Sequence, residues 1–420
     1  MTTVRHPAEH RIEVVPAPSD DGLDGVRSSF LRLAERFQPK EARGLDAVYK
    51  IVISGSGPTT IHVRDGRCLV SPGAIEHPMA TLSTSPDTWL DLVDGHVDGI
   101  GAFLSGQLAI SGDLNLAARF ETLFRPVANA ARVHRTVETR ARGVRLESIV
   151  SGIGPPVVLL HGLGANKVSF LPTLDGLADR FEVHALDLPG FGKSSKPLPS
   201  GRRYSMSWHA DVVHAYLVAN NLGTAHLVGN SMGGRIALEV ALRHPRSVRG
   251  IVGLGPAVAF DEYRMLAPLL RLSRPQWLGL APVPIPRTMI ESIVRDLFHD
   301  PSTVPSANHR AASEDVVNAL RDPSHRMALL ACARQLAAER SRGKRAYWSR
   351  LERLTVPSYW IFGEQDRLVD HRYAARVEGT IPAARVDVWP EMGHVPQFEA
   401  PERTNAAIIG WIAELEAAVR

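Results

Sequence analysis

Cysteine is almost absent from this chain: Cys68 and Cys332 are the two thiols in 420 residues. Two such distant thiols exclude a disulfide framework and a thiolate metal cluster, and their scarcity points to a reducing compartment, the cytoplasm. Long apolar runs are absent as well. The longest candidates, such as 251–260, fall far short of the ~18 residues that a spanning helix needs. That excludes a transmembrane segment and leaves only peripheral membrane contact open. The opening residues, MTTVRHPAEHRIEVV, lack the uninterrupted apolar stretch of a secretory signal. Long basic runs with interleaved aromatics are also missing. The formal net charge of +4 divides into −2 over residues 1–140 (15 basic, 17 acidic) and +6 over the remainder (33 basic, 27 acidic). This is an ordinary mixed-charge surface and gives no reason to expect a nucleic-acid partner.

What is present is the composition of a folded chain, 44% hydrophobic and 22% charged, over a length that accommodates two or three domains. No short-period repeat or low-complexity tract interrupts it. Residues 1–22 are polar, contain prolines and read as loosely ordered. From 23 to 128 the pattern is mixed. Val26, Phe30, Leu31, Leu33, Ala34 and Phe37 recur at helical spacing. Strand-like runs follow at 47–54, 60–63, 67–70 and 80–84. Ser85-Pro86-Asp87 then combines an N-cap serine, a proline at the first helical position and an acid in the first turn. That helix carries Trp89, Leu90 and Leu92 and stops near Gly95. A further helix, from about 113 to 124, sets Leu116, Phe120, Leu123 and Phe124 on one face. This stretch reads as a small α+β domain, one sheet covered by helices.

After a linker at 129–134 the grammar changes. Strands expected at 137–147, 157–161, 183–187, 226–229, 251–254, 359–362 and 385–389 alternate with helical segments. Such alternation specifies an α/β domain over 135–420, a doubly wound, mostly parallel sheet. Pro-rich and helical sequence at about 259–351 breaks the alternation and reads as an insertion.

The chemistry concentrates in this second half. The stretch 226–235, HLVGNSMGGR, runs from a strand through Gly229-Asn230-Ser231-Met232-Gly233 into a helix. A serine on so sharp a strand-to-helix turn is strained, and side chains two residues either way would clash, hence the flanking glycines. The helix N-terminus behind it favours negative charge. Upstream, the strand at 157–161 ends in His161-Gly162-Leu163-Gly164. Downstream, Asp366 follows the strand at 359–362, and His394 sits in Met392-Gly393-His394-Val395-Pro396 after the last strand. The chain order Ser231, Asp366, His394 is that of nucleophile, acid and base in this architecture. A neutral serine hydroxyl is a weak nucleophile; an imidazole must take its proton, and a carboxylate must orient that imidazole. The backbone N–H groups of Leu163 and Met232 would face the oxyanion. Asp370 and Glu364 compete with Asp366 for the acid role. His161 reads as a loop-holding residue, Asp187 in its Asp-Leu-Pro-Gly turn as a turn cap, and Arg235 as a helix surface or packing residue.

The pieces VVLLHGLG, HALDLPGFGKSSKP, HLVGNSMGGRIALEVALRHP, IFGEQDRLV and MGHVPQFEAPE together resemble the α/β-hydrolase superfamily over about 135–420, in the branch with a helical cap. The resemblance implies a fold with the cap at about 259–351, Ser231 as nucleophile, Asp366 as acid and His394 as general base. A serine at that position disfavours the branches that place aspartate there, the epoxide hydrolases and haloalkane dehalogenases.

Residues 23–128 resemble the sterol carrier protein-2-like family. The match is strongest in SPDTWLDLVDG and GAFLSGQLAISGD and in the helix ending Leu123-Phe124. In that family a sheet and helices enclose an apolar tunnel for lipids or acyl chains, which makes Trp89, Phe103, Leu116, Phe120 and Phe124 candidate lining residues. They serve equally well as the core of a small domain. In the cap, Met265, Leu266, Leu269, Leu270, Leu278 and Leu280 are apolar enough to meet such a chain.

The function these readings imply is a serine hydrolase of hydrophobic or lipid-like carboxylic esters, acting through an acyl-enzyme, with an attached lipid-binding module. Three alternatives stay open. One is a carbon–carbon hydrolase of ring-cleavage products, though Val395 stands where that branch carries a bulky aromatic. The second is a cofactor-free perhydrolase, and the third a lipid-binding protein without catalysis. No motif calls for a metal, a nucleotide or another cofactor.

Overall fold

The computed structural model describes residues 2–5, 11–14, 24–124, 134–257, 275–281, 285–337, 347–382 and 384–418. The chain forms two compact units, one of residues 1–136 with 304–318 and one of 137–303 with 319–420.

The first unit is built on a seven-stranded sheet. Its strands are β1 (Thr2–Arg5), β2 (Arg11–Val14), β3 (Asp46–Ile53), β4 (Thr59–Arg64), β5 (Arg67–Pro72), β6 (Ala80–Thr84) and β7 (Leu108–Gly112), in the order β1-β2-β5-β4-β3-β6-β7. The N-terminal residues that read as loosely ordered thus supply two short strands, with β2 beside β5 in parallel. Helices α1 (Asp24–Glu35), α2 (Pro86–Asp94), α3 (Gly99–Leu104) and α4 (Leu114–Leu123) complete the unit. Alternation decides which face of β3 is covered: Ala47, Tyr49, Ile51 and Ile53 are buried and the residues between them are less so. The Ser85 hydroxyl accepts the Thr88 N–H at 3.2 Å, and Gly95 (φ 78°) ends α2 in the left-handed conformation. In the segment 304–318, Asn308 donates to the Phe103 carbonyl at 3.0 Å and Glu314 accepts the Gly112 N–H at 3.0 Å.

The second unit carries an eight-stranded sheet. Its strands are β8 (Arg135–Ala141), β9 (Val144–Ser151), β10 (Pro156–Leu160), β11 (Glu182–Leu186), β12 (Ala225–Asn230), β13 (Val248–Leu254), β14 (Ser358–Gly363) and β15 (Ala384–Trp389), in the order β15-β14-β13-β12-β10-β11-β9-β8. All pairs from β11 to β15 are parallel, and β9 is antiparallel to β11. The stretch expected as one strand at 137–147 is two, β8 and β9, separated by Arg142 (φ 49°) and Gly143 (φ 74°). Two consecutive positive φ values make the tight turn that joins neighbouring strands. Val157, Val158, Leu159 and Leu160 are all fully buried, as a central strand covered on both faces requires.

Helices α5 (Leu171–Leu177), α6 (Met206–Ala219), α7 (Met232–Arg243), α12 (Tyr373–Thr380), α13 (Pro396–Glu399) and α14 (Pro401–Ala418) accompany these strands. Between β13 and β14 lie α8 (Arg287–Arg295), α9 (Ser306–Arg321), α10 (Pro323–Ala337) and α11 (Tyr347–Leu351), where the insertion was expected. No helix among the described residues is long and apolar enough to cross a membrane.

Candidate active site

Ser231 occupies the turn between β12 and α7, at φ 53° and ψ −116°. An L-residue holds such a conformation only where its surroundings enforce it. They do so here by hydrogen bonds on both sides: the Ser231 N–H donates to Leu254 (3.0 Å), and its carbonyl accepts from Arg235 (3.2 Å) and Ala257 (3.0 Å). Steric closure does the rest. A β-carbon at Gly229 would lie 2.3 Å from the Gly233 carbonyl carbon, and one at Gly233 would lie 1.9 Å from the Leu160 carbonyl oxygen. The close approach of β10, β12 and α7 leaves both positions to glycine.

Met232 is the first residue of α7 and is buried. Its N–H, at a helix N-terminus, has no acceptor within the helix. Leu163 stands in the loop that follows β10, and that loop runs against the serine: a β-carbon at Gly162 would be 3.4 Å from Ser231 Cβ. In the same loop the His161 ring accepts the Leu188 N–H on Nε2 (3.0 Å), so Nδ1 carries the proton and donates to the Gly162 carbonyl (2.8 Å). Burial pushes the His161 pKa down to about 4, which keeps the ring neutral. Its two nitrogens are spent on backbone, in line with a loop-holding role.

Asp366 lies in the loop after β14 and His394 in the loop after β15. His394 Nδ1 is 2.7 Å from Asp366 Oδ2, and the two side chains are 4% and 0% exposed. The other carboxylate oxygen of Asp366 accepts the N–H groups of Leu368 (2.7 Å) and Val369 (2.9 Å), which fixes its orientation. Of the three acids that compete in the sequence, Asp366 is the one against the imidazole. Asp370 instead binds Arg372, whose hydrogen bond holds its pKa down at about 2, and Glu364 is exposed. Gly255, just after β13, abuts the pair, for a β-carbon there would lie 3.1 Å from Asp366 Oδ2 and 3.2 Å from His394 Nδ1. Asn230, next to the serine, donates its side-chain amide to the His394 carbonyl at 2.9 Å. Three separate strand ends thereby bring Ser231, Asp366 and His394 into one neighbourhood.

Two buried ionic groups had no clear signal in the sequence. Lys167 is enclosed with its Nζ 2.7 Å from Asp187 and 3.0 Å from Glu147. Burial opposes its charge, but the two carboxylates outweigh that and hold its pKa above the ordinary value. Asp187 also accepts the backbone N–H groups of Lys167 and Lys193, each at 2.7 Å, so it anchors the loop that packs on His161. Arg235 is fully buried rather than a surface residue. Its guanidinium lies 3.7 Å from the Tyr347 ring centre and 3.4 Å from Glu239, which Arg350 also binds.

In the first unit Trp89, Phe103, Leu116, Phe120 and Phe124 are all buried. Trp89 donates to Ser29 Oγ (2.7 Å) beside Phe30, while Phe120 packs edge-on against Tyr49 and close to Phe124. Met265, Leu266, Leu269 and Leu270 lie outside the described residues; Leu278 and Leu280 are exposed.

Compared with known proteins, residues 155–401 match the alpha/beta hydrolase fold model and residues 30–125 match the SCP-2 sterol transfer family. Over 257 residues the chain is 28% identical to a pimeloyl-(acyl-carrier protein) methyl ester esterase from Aeromonas hydrophila subsp. hydrophila, covering 60% of this chain and 93% of that protein. Over 262 residues it is 28% identical to a 2-hydroxy-6-oxononadienedioate/2-hydroxy-6-oxononatrienedioate hydrolase from Burkholderia vietnamiensis, covering 61% and 86%. Among solved structures, a bacterial membrane phospholipase A superposes with a TM-score of 0.56 at 23% identity, over 72% of this chain and 92% of that one. At that identity the likeness is one of fold.

Proposed function

The chain belongs to the alpha/beta hydrolase fold family, with an SCP-2 domain ahead of the hydrolase domain, and on that premise we propose that it cleaves carboxylic esters of hydrophobic, lipid-like acyl groups through an acyl-enzyme on Ser231. The observation that carries the reading is the buried 2.7 Å contact between His394 and Asp366 beside a serine held at φ 53°.

Asp366 engages Nδ1–H of His394 and leaves Nε2 with a free lone pair. As Ser231 Oγ attacks the ester carbonyl, His394 takes the hydroxyl proton, and Asp366 stabilises the resulting imidazolium. The carbonyl oxygen becomes an oxyanion facing the N–H groups of Leu163 and Met232; one such donor is worth about 2.7–4 kcal/mol of barrier. Collapse expels the alcohol, which takes the proton from His394. Water then adds to the acyl-enzyme, gives a proton to His394, and releases the acid as Ser231 recovers its own proton.

Two further observations support the substrate class. The Aeromonas relative is a methyl ester esterase of a pimeloyl-(acyl-carrier protein), and the N-terminal domain matches a sterol transfer family. A module that shields a poorly soluble chain raises its local concentration at a site on the same polypeptide. Turnover of p-nitrophenyl esters from acetate to palmitate, beside a ring-cleavage diketone substrate, tests the reading. Esters are expected to be cleaved, longer acyl chains faster. Cleavage of the diketone alone would replace it with the carbon–carbon hydrolase.

A further inference from the structure

Glu399 closes α13, five residues after His394, and is 9% exposed. Its carboxylate is turned toward backbone N–H groups outside its own helix. One oxygen accepts from His299 and Asp300, each at 2.8 Å, and the other accepts from Gly393 at 2.7 Å. A fourth bond runs alongside, from the His394 N–H to the Leu297 carbonyl at 2.7 Å. No room is left between these segments: a β-carbon at Gly393 would lie 2.6 Å from both the His299 nitrogen and the Leu297 oxygen.

We infer that Glu399 is a positioning residue that mounts His394 on residues 297–300 of the insertion. The inference rests on the proposed role of His394 as the base. A residue that only capped its own helix would spend its oxygens there. Glu399 instead joins a segment a hundred positions away to the residue immediately before the imidazole. Three N–H donors require acceptor lone pairs on both oxygens, which a carboxylate has. A glutamine would set its own NH₂ against a backbone N–H whichever way it turned. Residues 297–300 follow α8, so a movement of that part of the insertion carries Gly393 with it and re-aims the imidazole.

The test uses the full chain with Glu399→Gln and Glu399→Asp. E399Q is expected to fold but to melt several degrees lower, since one buried N–H group loses its acceptor, and to keep its KM within about two-fold. Its kcat on the preferred ester should fall by up to about 100-fold, the effect of an ångström-scale misplacement. E399D, with the charge kept but the reach shortened, should fall between E399Q and wild type. Independently of turnover, the downfield proton resonance of the His394–Asp366 hydrogen bond should shift or broaden in E399Q. Wild-type kcat together with an unchanged resonance in folded E399Q would overturn the inference. Should E399Q not fold, E399D decides by the same two readouts. If the wild type cleaves no ester, the serine-hydrolase reading fails, while the resonance still decides the role of Glu399.

Discussion

The side-chain amide of Asn230 holds the main-chain carbonyl of His394 at 2.9 Å and, through the same nitrogen, the Leu254 carbonyl at 2.9 Å. The residue before the serine therefore sets the height of the histidine loop above it. Both acceptors are carbonyls, so the arrangement needs a donor. Asn230→Asp presents oxygen to oxygen; the Leu254 carbonyl keeps the Ser231 N–H, but the His394 carbonyl loses this donor, which should cost about 1–3 kcal/mol. We expect N230D to melt at a lower temperature and to lose at least ten-fold in kcat, with N230A less affected. Thermal melts and ester kinetics check this; an N230D protein of wild-type stability and activity would refute the link.

Gly233→Ala should abolish the serine turn. The new methyl would lie 1.9 Å from the Leu160 carbonyl oxygen, a backbone atom of the central strand β10 that cannot swing aside. Overpacking of this kind costs about 1–3 kcal/mol or more. The expected outcome is a protein that expresses poorly or melts many degrees lower and has no measurable esterase activity. Normal activity in G233A would mean that the turn is not closed as described.

Stability should decline with mild acidification. Burial pushes the pKa values of His161, His209, His226 and His325 down to about 4. In the unfolded chain these groups titrate near ~6.5. Between those values the unfolded state binds protons that the folded state does not, so stability rises with pH in that window and is lost as pH falls through it. Each histidine contributes on the order of 2 kcal/mol. Asp187 and Glu239, held low against burial by Lys167 and by Arg235 with Arg350, act only below about pH 4.5. The melting temperature should therefore drop steadily from pH 7 to pH 5. A flat profile over that range would contradict the burial of these rings in neutral form.

Much of the hydrolase half was legible because its signals are local. A continuous apolar run such as Val157 to Leu160 marks a buried parallel strand, and the two glycines around Ser231 report a backbone contact that no side chain could survive. The N-cap at Ser85 was equally plain. What escaped was long-range or short. Lys167 and Arg235 carry buried charge and perturb no periodicity: both carboxylates of Lys167 and the Tyr347 ring over Arg235 lie on other elements, and Glu239, one turn along α7, reads as an ordinary helix pair. The β8–β9 turn hides in Arg142-Gly143, where nothing but one glycine marks two left-handed residues. Helix α3 is a six-residue element with glycine at two positions, held by the Asp98 side chain on the Gly101 N–H, and so short a pattern has no period to read. Glu399 was visible within the run after His394, but its partners, the N–H groups of residues 299 and 300, leave no trace in sequence.

Whether Ser231 is the nucleophile is decided by covalent labelling of the full chain with a fluorophosphonate, followed by peptide mass spectrometry, for wild type and Ser231→Ala. The expected result is one adduct, on Ser231, absent from S231A, together with a loss of ester turnover in S231A of order 10⁴–10⁶. An unlabelled wild-type protein, or an S231A variant that still turns over esters, would contradict it.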